Sequence, residues 1–212
     1  WDGGQLDDKS PYEHTAAERL VDGLGRTVEH RRTLAGKKLV ARFSYDPSGA
    51  LLSRTDPEGN VSSYAYDGRG LRTVLSDPDS GERRFAYDDT RNLIEVRRPD
   101  GKVRKLTYDL SGRVLSEDWD GDGTPELRNT WDIDPSNPND LLARGRLVGI
   151  TDQSGSTLNR YDERGRVVLT RHTIQDKVYE TRSSYDLQDR EVLHVYPDGS
   201  SIDIRRNGRG QI

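Results

Sequence analysis

Four carboxylates fall within nine residues of one stretch, Asp118-Trp-Asp120-Gly-Asp122-Gly-Thr124-Pro-Glu126. They occupy the first, third, fifth and ninth positions of a calcium loop, and Gly123 stands at the sixth. That alternation aims three carboxylate oxygens at one centre, the Thr124 carbonyl supplies another, and the glycine makes the sharp turn. The expected ligands are Asp118, Asp120, Asp122, Thr124 and Glu126, and the expected ion is Ca2+. The bidentate Glu that closes many such loops is missing, since Asn129 holds the twelfth position. The alternative is an acidic, glycine-rich hairpin tip that holds no ion and keeps its carboxylates apart by solvation.

Other chemistry is thinly represented. No flanking helices are evident around the acidic stretch, so it resembles an integrin-type Asp-x-Asp-x-Asp-Gly-x-x-Asp loop more than an EF-hand. His14, His30, His172 and His194 show no metal-ligand spacing. There is no Cys, which excludes disulfides, thiolate zinc sites and cysteine nucleophiles. No Gly-x-Ser-x-Gly, phosphate-loop or dinucleotide fingerprint occurs. Acids are plentiful, but turns require them at every tip, so no glycosidase pair stands out. No catalytic residue is assigned, and the chain is not expected to be an enzyme. Lys+Arg 33 against Asp+Glu 37 leaves a net charge of −4 and a pI near 5.7, without the basic excess of a dedicated nucleic-acid binder. No apolar run approaches the roughly 18 residues of a membrane span, and the start lacks a signal-peptide pattern. Met is absent, which reads as a segment from the interior of a longer or processed polypeptide.

These residues need a scaffold, and composition makes an ordinary core unexpected. Leu, Ile, Val and Phe make up 44 of 212 residues, close to the roughly 20% below which chains tend to disorder. A tandem repeat resolves the difficulty. Aromatic-Asp pairs recur at Trp1-Asp2, Tyr45-Asp46, Tyr66-Asp67, Tyr87-Asp88, Tyr108-Asp109, Trp131-Asp132, Tyr161-Asp162 and Tyr185-Asp186, with degenerate copies at Val21-Asp22 and Arg206-Asn207. The successive intervals are 20, 24, 21, 21, 21, 23, 30, 24 and 21 residues. Gly usually follows three residues after the Asp, as in Asp67-Gly-Arg-Gly70 and Asp162-Glu-Arg-Gly165. The Asp side chain accepts a backbone N–H two residues on, and Gly supplies the positive φ that returns the chain to a strand. A second turn falls about ten residues later, as in Asp56-Pro-Glu-Gly59.

Each unit is therefore read as a β-hairpin of about 21 residues, and the chain as serial antiparallel hairpins. The pairs Phe43/Tyr45, Tyr64/Tyr66, Phe85/Tyr87 and Leu106/Tyr108 should share one face and form a ladder of rings in mutual contact. The opposite, wetter face should carry Arg72, Arg97, Arg104 and Ser116. Ala16 to Val21 is the one stretch read as a short helical turn. The excess length between Asp109 and Asp162 marks two insertions, an acidic loop at 118–126 and an irregular segment at 132–145. The whole of 1–212 is read as one array of nine to ten hairpin units.

Tyr-Asp-x-x-Gly-Arg at these intervals, interleaved with Asp-Pro-x-Gly turns, resembles the Rhs/YD-repeat family. Gly145-Arg-Leu-Val-Gly-Ile-Thr-Asp-x-x-Gly155 running into Tyr161-Asp-Glu-Arg-Gly-Arg166 is similar to a segment frequent there. The resemblance implies an all-β, continuous, curved or spiralling sheet that forms part of a hollow shell. It implies a structural role in a secreted or cell-surface bacterial protein, as in polymorphic toxins and the B/C subunits of insecticidal toxin complexes. The implied partners are the remaining shell segments, in the same polypeptide or a partner subunit, and an encapsulated toxin domain. No nucleic acid and no membrane span are expected. The alternative on the same repeats is a cell-surface adhesion module that engages a receptor or glycan, as teneurin-type shells do. The family's self-cleaving Asp-Pro-x-Gly-Leu-type motif has no counterpart here, so cleavage and toxicity are not assigned.

Overall fold

The computed structural model describes residues 17–212, and Trp1, Asp2 and His14 lie outside the described residues. The chain divides into two units, one ending at Val103 and the other running from Arg104 to Ile212. The first holds β1 (Ala17–Val21), β2 (Thr27–Leu34), β3 (Lys37–Tyr45), β4 (Leu51–Thr55), β5 (Val61–Tyr66), β6 (Arg72–Asp77), β7 (Gly81–Tyr87) and β8 (Leu93–Arg97). β9 (Val103–Tyr108) begins at the division. The second unit continues with β10 (Val114–Asp118), β11 (Leu127–Trp131), β12 (Leu147–Asp152), β13 (Gly155–Tyr161), β14 (Val167–Ile174), β15 (Lys177–Tyr185), β16 (Glu191–Val195) and β17 (Ser201–Asp203). Within each unit every strand pairs antiparallel with the next one in sequence. The fold is all-β, as expected, and the helix among the described residues is a single 3-10 turn, Leu141–Ala143.

Ala17–Val21 corrects one expectation. It is the strand β1, paired with β2 from Ala17↔Arg32 to Val21↔Thr27, not a helical turn. Five residues are too few to offset helix nucleation, whereas the edge of β2 satisfies their backbone at once.

The turns form as their residues dictate. At Asp67 the carboxylate accepts the N–H groups of Arg69 and Leu71, both at 2.9 Å, and Gly70 sits at φ 78°. Two turns lack the glycine: Arg91 and Asp189 adopt the left-handed conformation instead, at φ 72° and 62°. Just before each aromatic-Asp pair the ladder slips by one residue, between Ser44/Tyr45, Ala65/Tyr66, Ala86/Tyr87, Thr130/Trp131, Arg160/Tyr161 and Ser184/Tyr185. A bulge bends its strand and increases local twist, so the repeat deforms the 17-stranded sheet at regular intervals.

Neither unit encloses a core of ordinary size. Among the described residues the buried apolar side chains are Leu106, Ala143 and Val148. The expected ladder of touching rings is also corrected. In the first unit no two rings of successive repeats meet among the described residues. Each repeat contributes two strands, and strands lie about 4.8 Å apart, so the aromatic strands are separated by one that bears none. Across the ladder Phe43 faces Arg54, Tyr64 faces Leu75 and Phe85 faces Val96. Arg72 lies on this aromatic side, its guanidinium 4.9 Å from the Phe85 ring centre. Arg104 pairs with Glu117, which stands opposite Leu106, so it too leaves the face expected for it. Ser116 meets Thr107 on the other face, and Arg97 stands opposite Arg84 there.

Candidate functional site

Two arrangements could carry function: a clasp that recurs along the array, and the acidic loop. The clasp starts from the Gly-Arg that ends the first turns at Asp22, Asp109, Asp132 and Asp162. In Asp162-Glu-Arg-Gly-Arg166, Arg166 Nε donates to Asp162 Oδ2 at 2.7 Å, its own turn's carboxylate. The same guanidinium lies 4.9 Å from the centre of the Tyr185 ring and donates to the Asp186 carbonyl at 2.9 Å. Tyr185 in turn donates its hydroxyl to the Val167 carbonyl, next to Arg166. One arginine thus ties its own turn to the aromatic and the aspartate of the following repeat. Arg26 repeats the pattern on Asp22, Tyr45 and the Asp46 carbonyl. Arg146 stacks on Tyr161 in the same way.

The aromatic is required to end in a donor. Tyr45, Tyr66, Tyr87, Tyr161 and Tyr185 give hydroxyl bonds to the carbonyls of Thr27, Leu51, Arg72, Leu147 and Val167, each the residue after the one that closes the preceding first turn. Trp131 delivers its indole N–H to the matching carbonyl of Val114 at 2.9 Å. In the degenerate Arg206-Asn207 copy, Arg206 Nη1 reaches the matching carbonyl of Glu191 at 2.6 Å.

Trp131-Asp132 explains the irregular spacing. Asp132 N–H donates to the Arg146 carbonyl, and the Gly145 N–H donates to Asp132 Oδ1. The first is the closing bond of an ordinary Asp-x-x-Gly-Arg turn, and in the second the Asp132 carboxylate takes the Gly N–H that the Asp backbone carbonyl takes elsewhere, with residues 133–144 looped out in place of two residues. Arg113 pairs with both Asp109 and Asp132. The Arg113 guanidinium, followed by the Gly145 N–H, pulls the Asp132 carboxyl down to about 2. The loop is fastened by Asp134, 1% exposed, which accepts from Arg160 Nε at 2.8 Å and from Ser136.

The acidic loop replaces the second turn between β10 and β11. Oxygens of Asp118, Asp120, Asp122 and Glu126 all lie within 4.8 Å of one another, the one such grouping of three or more His, Cys, Asp or Glu among the described residues. Asp118, 5% exposed, ends β10, and its two oxygens accept the N–H groups of Gly121 and Gly123. Burial works to raise its carboxyl, but the Gly123 and Gly121 N–H groups and the Lys105 ammonium outweigh it and hold the group below the ordinary carboxylate range. Asp120 accepts from the Asp122 N–H, and Asp122 from the Thr124 N–H. Glu126 closes the neck by accepting the Trp119 N–H at 2.6 Å. Thr124 is exposed at the tip, while Asn129 lies in β11 and donates to the Val114 carbonyl, committed to the sheet. All four side-chain donors are hard, anionic oxygens, a set suited to Ca2+ or Mg2+ and not to soft metals.

His172 meets Thr157, and His194 meets Glu191 and Ser183. Both Glu191 and Ser183 approach His194 through Nδ1, so the trio lacks the relay geometry of a catalytic triad.

The repeat has a counterpart in a known family. Residues 45–82 match the family described as RHS Repeat. No curated protein matches it in sequence. The crystal structure of TcdB2-TccC3 superimposes with a TM-score of 0.78 at 18% identity over 95% of this chain. That of TcdB2-TccC3-Cdc42 gives 0.77 at 18% over 94%, and that of TcdB2-TccC3 without its hypervariable C-terminal region gives 0.77 at 19% over 95%. This chain spans 12% of the length of each of these chains, and at 18–19% identity the likeness is one of fold. Among the described residues no helix is long and apolar enough to cross a membrane.

Proposed function

We propose that the chain is one array of RHS repeats over residues 1–212 that serves as a stretch of wall in a secreted or cell-surface bacterial container. The wall encloses a toxic segment and performs no catalysis. Its partners are the neighbouring wall segments, in the same polypeptide or in a partner subunit, and the enclosed cargo. The observation that carries this reading is the clasp, which recurs along the array at Arg26, Arg113, Arg146 and Arg166 and spends its arginines, aromatics and aspartates on construction. In the intact parent polypeptide, the cargo segment should resist trypsin until the sheet is melted by denaturant. Cargo cut in the native protein as fast as the isolated segment would overturn the reading. Purified chain offered glycans, peptides and nucleotides should show no turnover, and a turnover abolished by one substitution would reverse the assignment.

We further propose that the 118–126 loop takes Ca2+, with Asp118, Asp120, Asp122 and Glu126 as carboxylate ligands and the Thr124 carbonyl as a fifth. The convergence of four carboxylates supports this, because they repel one another without a cation. Extracellular calcium modules bind at about 0.1–1 mM. Tenfold excess over such a constant stabilises by about 1.4 kcal/mol, a rise of about 3–5 °C in Tm for a chain of this size. Asp120→Asn with Asp122→Asn should remove the rise. A calorimetric titration without heat at millimolar Ca2+, together with an unmoved Tm, would sink the proposal.

A further inference from the structure

We propose that Asn207 is a site of spontaneous deamidation, which turns the one amide among the described first-turn positions into a carboxylate. Asp22, Asp46, Asp67, Asp88, Asp109, Asp132, Asp162 and Asp186 hold this register, and Asn207 replaces Asp in the last copy. The turn is otherwise built alike: Asn207 N–H donates to the Gln211 carbonyl and Gly210 N–H to the Asn207 carbonyl. Of the seven asparagines, Asn207 alone precedes a glycine.

Three features of the turn favour the reaction. The nucleophile is the Gly208 amide nitrogen, whose N–H takes part in no hydrogen bond among the described residues. Gly208 has no side chain to obstruct ring closure, and even a Cβ there would meet nothing within 4 Å. The electrophile is the Asn207 side-chain carbonyl, and its Oδ1 accepts the N–H groups of Arg209 at 2.9 Å and Gln211 at 3.1 Å. Two backbone donors already aimed at that oxygen stabilise the negative charge it gains when the carbon becomes tetrahedral. Hydroxide removes the Gly208 amide proton, and the nitrogen attacks Cγ of Asn207. The Cγ–Nδ2 bond breaks, ammonia leaves and a cyclic imide remains. Water then opens the imide at either carbonyl. One product is aspartate, which can accept the same two N–H bonds and adds a negative charge beside Arg206 and Arg209. The other is isoaspartate, whose extra backbone methylene breaks the register of the turn.

The native chain is incubated at mildly alkaline pH, sampled over time, cleaved after its glutamates, and the peptides, 192–212 among them, are weighed and fragmented. The expected result is a one-dalton gain that maps to Asn207, grows faster at higher pH, and is absent at Asn60, Asn92, Asn129 and Asn159. Gly208→Ala should slow the gain several-fold, and Asn207→Gln should prevent it. If the folded chain keeps its mass over the period in which the free 192–212 peptide gains it, the turn protects Asn207 and the proposal is overturned. A gain spread evenly over the other asparagines would overturn it equally.

Discussion

At the scale of single residues, the clasp divides its labour among three chemistries. The phenol supplies apolar contact and one hydrogen bond, the guanidinium a planar fork, and the carboxylate two acceptor oxygens for backbone N–H groups. Tyr185→Phe keeps the ring and deletes the bond to the Val167 carbonyl, so it should cost about 0.5–1.5 kcal/mol in urea unfolding. Arg166→Ala should lower the urea midpoint, and Arg166→Lys should not restore it, because an ammonium cannot stack on Tyr185 while bonding Asp162 and the Asp186 carbonyl together. The turn aspartates set the response to acid. Asp22, Asp67, Asp109 and Asp186 are held below the ordinary carboxylate range, first of all by the backbone N–H four residues on. A carboxyl lowered in the folded state stabilises above its unfolded pKa and loses that contribution as pH falls through the folded one. The urea midpoint should therefore be flat from about pH 7 to 5 and fall below about pH 4. A midpoint that rises on acidification would contradict the assignment.

At the scale of elements, hairpin geometry depends on a few positions that tolerate no side chain. Gly155, φ 146°, opens β13 against β14, where an added Cβ would fall inside the Thr173 carbonyl. Gly155→Ala should weaken the β13–β14 hairpin far more than Gly199→Ala, whose Cβ would meet open space; amide exchange across Ser156–Thr173 would show it. The hairpins were legible in the sequence because most turns are written twice, in the Asp that accepts and the Gly that turns. The acidic loop was legible through its alternating carboxylates. Ring contacts were not: period-2 alternation assigns Phe43 and Tyr45 to a face, but the bulge at Ser44/Tyr45 and the intervening strand decide what they touch. Nor could spacing show that Arg206 stands in for a tyrosine, since the equivalence lies in where a donor reaches and not in residue type. Ala17–Val21 was misread because five residues carry too little periodicity to separate helix from edge strand.

At the scale of the whole molecule, stability accumulates from neighbour to neighbour instead of from a shared interior. With Leu106, Ala143 and Val148 as the buried apolar side chains among the described residues, unfolding exposes little new surface. Denaturant sensitivity follows exposed area, so the urea m-value should lie well below that of a compact domain of equal length, and unfolding should be broad, as in other repeat arrays. A steep transition with a full-sized m-value would show that the sheet is covered in solution, for instance by self-association. The looped-out segment at Asp132 has a wider meaning. The Asp132–Arg146 backbone bond closes the neck of that loop as it would close a four-residue turn, and the Asp132 carboxylate holds the Gly145 N–H beside it. A turn that seals at its base is indifferent to what hangs beyond it. Each Asp-x-x-Gly tip is in this sense a docking port in the chain, where lineages or engineers could graft foreign peptides without recasting the lattice beneath.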